Sequence, residues 1–488
     1  MKFLIDTNIF IPLEPTSSAD IEVLSPSAAR LLRLIQENEH QVFLHPKSLV
    51  DIGRDKNPER QQLRRLAFEK YPHLEGTAAP FIDFTMVVGE AESDSNCDVD
   101  NHLLFSVDCN AVDFFITEDR GIHKKARKLE IENKVLRIID AIRMLAQLTT
   151  THIDVVFPAI EKVKAYAIDL NDPIFDSLRE GYSGFDEWFI KCRTDHRDCF
   201  VISGEEGLDA LCVLKDESSG EYEMSGKVLK VCTFKVGTHA SGYRYGELML
   251  KAVLSHAYNN GYDWIYLTAF EENERICVFL DTFGFSDEEG FRTQLGENVF
   301  KRKLHPTDNN FKLPPLDFHI RFGPKYLSEE CISYIVPIQP QYHRLLFPEL
   351  ERQMDMFVEN NPFGNSILKA YICHSNMKNI EPGSLLFFYR SQDSKVVQSI
   401  GVAEKCIRSD NPTEIVQFVG KRTVYSYQAI MEMCHKKVLA ILFRQANGYE
   451  TPLSRQQLES SGVFTRPPQS ISRISKEGHT WLLSQRRI

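Results

Sequence analysis

The sequence predicts a multidomain α/β protein: a parallel sheet at the N-terminus, a mixed α+β segment in the middle, and a small β-barrel at the C-terminus. Three observations carry this. The chain has 488 residues, 43% hydrophobic and 26% charged, which suits about three cores, because one core stops growing well below this length. Charge is uneven, with 18 Lys and Arg against 24 Asp and Glu over residues 1–148, 17 against 27 over 149–305, and 22 against 17 over 306–488. The apolar pattern changes at the same places, from short runs ending in acidic tips, to longer strands around one amphipathic helix, to short strands between Gly and Pro turns. The expected boundaries are 1–148, 149–305, a linker at 306–326, and 327–488.

The first strand, Phe3 to Ile5, stops at Asp6, Thr7 and Asn8, as a buried parallel strand ending in a polar tip does. A helix over Ala28–Asn38, a strand over Gln41–Leu44 and the turn His45-Pro46 follow. Ser48 is placed to cap a helix whose first turn carries Asp51. Asp98 and Asp100 precede the helical set Leu103, Leu104 and Val107; a strand over Val112–Ile116 ends at Thr117, Glu118 and Asp119; a helix over Ile122–Leu129 leads to a strand over Val135–Ile138. Open α/β sheets place chemistry at C-terminal strand ends, so this order brings Asp6, Asp51, Asp100 and Asp119 to one edge. Clustered carboxylates repel unless a hard cation neutralises them, and Mg²⁺ or Mn²⁺ prefers such oxygen donors. The chemistry they support is hydrolysis of a phosphodiester by metal-bound water. An isolated Asp after a strand is more often a cap or turn residue; four in this order point to a site.

Over residues 1–145 the motifs LIDTN, strand-HP-x-S-x-x-D ending at Asp51, D-x-x-L from Asp100, and ITEDRGI with Asp119 resemble those of a PIN-domain nuclease. The resemblance implies a metal-dependent enzyme that cuts RNA, with Asp6, Asp51, Asp100 and Asp119 as catalytic metal ligands. Asp98 is the alternative to Asp100. Lys124 and Lys125, with His123, Arg127 and Lys128, are candidate phosphate contacts, or a solvated helix face.

In the middle segment the pattern gives a strand over Lys164–Ile168, a helix over Phe175–Cys192, strands over Cys199–Ile202, Asp209–Leu214 and Lys227–Val236, and then the turn His239–Gly246. An amphipathic helix with Leu248, Leu250, Val253, Leu254 and Ala257 follows. A strand-turn-helix with Gly242 and Gly246 in the turn can offer backbone N–H groups and a helix N-terminus to a pyrophosphate. A strand over Trp264–Phe270 and a helix over Asn273–Phe285 complete the series. Over residues 160–304 this series resembles a GNAT-type N-acetyltransferase, which implies acetyl-CoA as cofactor. The resemblance assigns Phe234, Lys235 and Val236 to the pantetheine arm, Gly242, Tyr243, Arg244, Tyr245 and Gly246 to the pyrophosphate, and Asn273 to the cofactor near the thioester. Leu280 stands where such enzymes often have the Tyr that protonates the thiolate, and no general base is identifiable. A CoA-binding shell without turnover is therefore an open alternative.

The C-terminal segment reads as short strands at Cys331–Val336, Ile367–Cys373, Ser384–Tyr389, Val396–Val402 and Val438–Phe443, with helical pieces near Pro348–Val358 and Ser426–Cys434. Gly401 marks a bulge or a close approach. Residues 330–488 look like the PUA-like class that includes ASCH and EVE domains, which implies RNA binding through a β-barrel. Arg390 and Arg422 are the preferred RNA contacts, ahead of Tyr342, Tyr389 and Tyr425.

Eleven cysteines occur without a CxxC, as expected of reduced thiols in the cytoplasm; Cys192, His196 and Cys199 lack a second ligand pair for zinc. No apolar run reaches the roughly 20 residues a membrane span needs. The combined expectation is a cytoplasmic endoribonuclease coupled to an acetyl-CoA-binding domain, acting on RNA such as tRNA, as a toxin or defence effector or in RNA maturation. The rivals are a protein or small-molecule N-acetyltransferase with the first fold as scaffold, and a non-catalytic RNA-binding regulator sensing acetyl-CoA. A homo-oligomeric or inhibitory partner is left open.

Overall fold

The computed structural model describes residues 1–17, 20–149, 159–205, 207–217, 222–237, 240, 243–287, 290–350 and 366–486. The chain forms two compact units, Met1–Thr151 with Ser409–Lys437, and His152–Arg408 with Val438–Ile488. No described helix is long and apolar enough to cross a membrane.

In the first unit, β1 (Lys2–Ile5), β2 (Gln41–Phe43), β3 (Phe114–Ile116) and β4 (Val135–Leu136) form an all-parallel sheet in the order β2-β1-β3-β4. Parallel strands are covered on both faces, and Phe3, Leu4, Phe114, Phe115 and Ile116 are fully buried. Helices Thr7–Leu13, Ser48–Gly53 and Arg120–Lys128 follow β1, β2 and β3, and helix Asn96–Asp108 leads into β3. Ser48 does not cap: it is the first helical residue, after Lys47, and its buried hydroxyl has no hydrogen-bond partner among the described residues. Helices Pro412–Val419 and Tyr427–Met433 belong to this unit. Asn133 donates to the Gln417 carbonyl at 2.7 Å, the Gln417 amide donates to the Asp113 carbonyl at 2.8 Å, and the His40 and Tyr427 rings meet edge on.

In the second unit, β5 (Ile160–Lys164), β6 (Asp198–Ser203), β7 (Leu208–Glu217), β8 (Val228–Val236), β9 (Trp264–Ala269) and β10 (Asn298–Lys303) lie in consecutive order. All neighbours are antiparallel except β8 and β9, which the crossover helix Tyr245–Asn259 makes parallel. The strand expected at Lys164–Ile168 lies at Ile160–Lys164 and is followed by a 3₁₀ turn, Ala165–Ala167. The single helix expected over Phe175–Cys192 is two, Asp176–Gly181 and Phe185–Thr194, because Gly184 takes a left-handed conformation between them. Cys192 and Cys199 are buried among Phe175, Phe185 and Phe189.

Between β7 and β8, Val213 pairs with Thr233 but Leu214 with Val231, so Cys232 is an extra residue in β8. Such a bulge bends its strand and raises its twist. The parallel pairing of β8 with β9 runs through Val228↔Trp264, Leu229↔Ile265 and Lys230↔Tyr266 and goes no further, while β8 continues along β7 to Val236 and β9 continues along β10 to Ala269. A wedge opens between the two strands.

The remaining strands are β11 (Ser333–Ile338), β12 (Leu368–Cys373), β13 (Leu385–Arg390), β14 (Val396–Ser409), β15 (Val438–Ala446), β16 (Leu453–Ser454) and β17 (Ser472–Arg473). They form a mixed sheet in the order β12-β15-β14-β13-β11-β17, with β16 on β14 and a parallel β11–β13 pair. The small β-barrel expected here is an open sheet: among the described residues no ladder joins β12 to β17. The β17 edge is only two residues long, and the Glu247 carboxylate, rather than a strand, receives the Ile367 and Leu368 N–H groups where β12 begins. The stretch 306–326, expected as a linker, carries helix Pro315–Phe322 with Phe318 and Phe322 buried. The helix expected over Pro348–Val358 is a 3₁₀ turn at Pro348–Leu350, and its remainder lies outside the described residues.

Gly401 does mark a close approach: a Cβ there would lie 2.5 Å from the Phe443 ring and 3.2 Å from that of Phe388. Gly401→Ala should therefore cost about 1–3 kcal/mol through overpacking. Urea denaturation measures it, and a loss below about 0.5 kcal/mol, the scale of a surface substitution, would show that the rings simply part.

Candidate functional site

The structure gathers the four predicted carboxylates. Asp6 and Asp119 each cap the helix that follows their strand, accepting from Thr7 N at 2.6 Å and from Ile122 N at 2.9 Å, so the cap role and the site role coincide. Asp51, in the helix after β2, accepts from the Thr7 hydroxyl at 3.3 Å and pairs with Arg54. Burial pushes the Asp6 carboxyl up to about 6 against its bonds from Thr117 and Thr7, and the charges of Asp51 and Asp119 push in the same direction. Asp100 is pushed up to about 7, first by burial and then by Asp6 and Asp119, with Lys125 opposing. Asp100 thus feels the charges of Asp6, Asp119 and Asp51, and Asp6 those of Asp51 and Asp119.

Asp98, the alternative to Asp100, is engaged elsewhere: it accepts from Lys47 Nζ at 2.8 Å and lies beside His102. Lys125 binds Asn101 Oδ1 at 2.7 Å and lies within electrostatic reach of Asp100, whereas Lys124 is exposed. His123 Nε2 donates to the Thr117 carbonyl at 3.0 Å, and burial lowers its proton affinity, which makes it a poor phosphate cation. The sequence did not reveal the role of Thr117. Its fully buried hydroxyl donates to Asp6 at 2.5 Å and accepts from Asn8 and from Asp119 N. A polar residue directly after an apolar strand was its only signal.

All four donors are hard oxygens, as a divalent cation requires. Among the described residues, however, no three His, Cys, Asp or Glu side chains stand close enough together to hold one ion. The donor chemistry fits Mg²⁺ or Mn²⁺; the spacing is wider than ligation.

The second candidate site is the wedge. Phe234, Lys235 and Val236 lie on the limb of β8 that has left β9 and are half-buried. The Phe234 ring lies 5.7 Å from Phe279, and both rings stand within ordinary contact of a Cβ at Gly246. Lys235 Nζ donates to Ser177 at 2.6 Å. At the head of helix Tyr245–Asn259 the N-cap residue Arg244 makes no side-chain cap, and the helix dipole places partial positive charge there. Tyr243 is exposed and stacks on Tyr245; Gly242 lies outside the described residues.

Arg244 is not the exposed phosphate contact that its place in the turn suggested. It is 9% exposed and pairs with Glu247 at 3.0 Å. Asn273 is exposed at the head of helix Glu274–Thr282, and its side chain makes no hydrogen bond among the described residues. Leu280 is buried in the core against the crossover helix.

In the C-terminal segment Arg390 forms a forked pair with Asp393, with contacts from 2.5 to 2.9 Å. Arg422 falls in the first unit, so the two preferred RNA contacts belong to different units. Tyr389 and Tyr425 are buried, which removes them as stacking surfaces. The sequence did not reveal a cavity of about 1030 Å³ lined by Ser333, Arg473, Lys476 and His479.

No family model matches the chain, and no curated protein matches it. Among solved structures, the chain is similar to ASCH from Zymomonas mobilis (16% identity, TM-score 0.25, 31% of this chain and 94% of that one). It is similar also to a putative GNAT-family acetyltransferase from Desulfovibrio desulfuricans (10% identity, TM-score 0.24, 30% and 99%). A third is a GNAT-family acetyltransferase from Elizabethkingia anophelis with acetyl-CoA bound (11% identity, TM-score 0.21, 30% and 98%). Similarity at this level says nothing about chemistry, and none of it supports the nuclease expectation.

Proposed function

We propose that the chain is an acetyl-CoA-dependent N-acetyltransferase whose cofactor adds along the free limb of β8. The observation that carries this is the wedge. The bulge at Cys232 parts β8 from β9, so among the described residues the β9-facing peptide groups beyond Lys230 have no strand partner on that side. An extended chain with its own amides can occupy such an edge as a strand would, and the pantetheine arm has that form. The crossover helix starts at the same end of β8, and the partial positive charge of its N-terminus suits the pyrophosphate. Phe234, Lys235, Val236, Tyr243 and Gly246 would line the cofactor, and Asn273 is free to meet the thioester. Bound acetyl-CoA would supply the activated acetyl group. Calorimetric titration with acetyl-CoA should give saturable binding in the range of enzyme substrates, about 1 µM to 1 mM. No heat at millimolar cofactor would remove this reading.

The carboxylates favour a second reading for the first unit: a divalent-metal-dependent, PIN-like endoribonuclease. Asp6 and Asp100 carry raised proton affinities in part because they face like charges, a strain that a cation would relieve. Asp6, Asp51, Asp100 and Asp119 would have to draw closer than they stand to ligate it, and the basic surplus of residues 306–488 suits RNA as the shared substrate. Labelled single-stranded RNA with Mn²⁺ tests it. Cleavage should fall at least about 100-fold in Asp6→Asn, and RNA left intact by the unsubstituted protein would refute it.

A further inference from the structure

We propose that Glu297 binds the acceptor of the transferase as an ammonium ion and takes its proton, so that the substrate is a cationic primary amine. This rests on the transferase reading and adds the residue and substrate class that it lacks.

Glu297 immediately precedes β10 and is 7% exposed. Its carboxylate accepts from the Tyr182 hydroxyl at 2.9 Å, the Thr268 hydroxyl at 2.9 Å and the Thr293 hydroxyl at 3.3 Å. No Lys, Arg or His pairs with it among the described residues. A buried charge without a counter-charge is costly. Three neutral donors hold this one in place but leave its charge unneutralised, and a carboxylate offers about four acceptor positions. What remains is one acceptor position and one uncompensated negative charge, which an ammonium group satisfies.

The position is the mouth of the wedge. Thr268 lies on β9 beyond Tyr266, where β8 has already departed. Side chains alternate along a strand, and Ile265, Leu267 and Ala269 pack toward the crossover helix. Tyr266 and Thr268, and with them Glu297, therefore stand on the opposite face from the helix N-terminus assigned to the pyrophosphate. One short segment spans the gap: Ser177 accepts from Lys235 on the free limb of β8, and Tyr182, five residues on, reaches Glu297. Cofactor and acceptor thus approach from opposite faces. The acidic balance of residues 149–305, 17 basic against 27 acidic, favours a cationic acceptor as well.

Glu297 takes one proton from the ammonium and frees the nitrogen lone pair. That nitrogen attacks the thioester carbonyl carbon; the C–N bond forms, the C–S bond breaks, and a second nitrogen proton passes to sulfur. Amide and CoA thiol result, and Glu297 returns its proton to solvent. Because this route supplies the sulfur's proton from the amine, Leu280 at the customary Tyr position is no obstacle.

The test compares the full-length protein with Glu297→Gln at pH 8, using labelled acetyl-CoA, spermidine as a charged amine and hydroxylamine as a nucleophile already neutral at that pH. Acetyl-CoA affinity should stay within about twofold, transfer to spermidine should fall about 100-fold or more, and transfer to hydroxylamine should change less than about threefold. Equal losses toward both nucleophiles would show a structural role and overturn the proposal, as would unchanged rates, or absence of amine transfer by a protein that binds acetyl-CoA. Failure of the unsubstituted protein to bind acetyl-CoA would instead overturn the transferase reading. Should Glu297→Gln fail to fold, Tyr182→Phe, which removes one donor and little volume, should show the same selectivity for spermidine at about three- to tenfold.

Discussion

Glu247→Ala should destabilise the second unit by about 3–5 kcal/mol, the range for stripping a buried ion of its partner. Glu247 is 7% exposed and pairs with the equally buried Arg244. Its other oxygen accepts from the backbone N–H of Ile367 at 2.7 Å and of Leu368 at 3.1 Å. Alanine removes one carboxylate from beside the guanidinium and the acceptor that the Ile367 and Leu368 N–H groups share, each loss a desolvation cost. Glu247→Gln keeps an oxygen for those donors and should recover about half the loss. Urea denaturation followed by tryptophan fluorescence separates the three proteins, and a loss under about 1 kcal/mol in the alanine variant would mean that Arg244 is readily resolvated. Glu247 sits in the first turn of the crossover helix, so the alanine variant should also bind acetyl-CoA more weakly.

Asp100→Asn should do the reverse to the metal-free protein. The Asp100 carboxyl stands at about 7 in the folded chain, against about 3.9 unfolded. Between those values the native state holds the extra proton, so stability falls as pH rises from about 4 to 7 and stays low above it. Asparagine removes that loss. In EDTA at pH 8 the variant should be about 1–2 kcal/mol more stable, a figure kept small because the group is partly solvated; at pH 4 the two proteins should be alike. Mn²⁺ should then raise the thermal midpoint of the unsubstituted protein more than that of the variant. A variant less stable in EDTA at pH 8 would show that Asp100 is a structural partner and not a repelled member of the set.

How much of this could be read from the sequence follows from how local each signal is. The β1 and β3 strands were visible because strands buried on both faces are continuous apolar runs, and Asp6 and Asp119 because they end those runs. Gly401 was visible through its own missing side chain. Other features depend on partners far along the chain. Glu297 bonds Tyr182, 115 residues away, and no spacing rule connects them. Arg244 looked free in its turn because Ile367 and Leu368, which fix Glu247 beside it, lie more than a hundred residues later. Barrel closure likewise depends on which strand edges meet, and short apolar strands do not encode that. Ile415, Val416 and Val419 would suit any core, so nothing local assigned their helix to the first unit rather than to the strands on either side of it.

That assignment bears on the order of synthesis. The first unit joins Met1–Thr151 to Ser409–Lys437, so its carboxylate set belongs to a structure that stays unfinished on the ribosome until the intervening second-unit residues and Lys437 have been added. A fragment cut at residue 151 would expose the surfaces on which Gln417 and Tyr427 rest and should be handled as an aggregation-prone half. An expression clone of the first unit should include residues 409–437. Any hydrolytic activity housed there would wait until synthesis has passed residue 437.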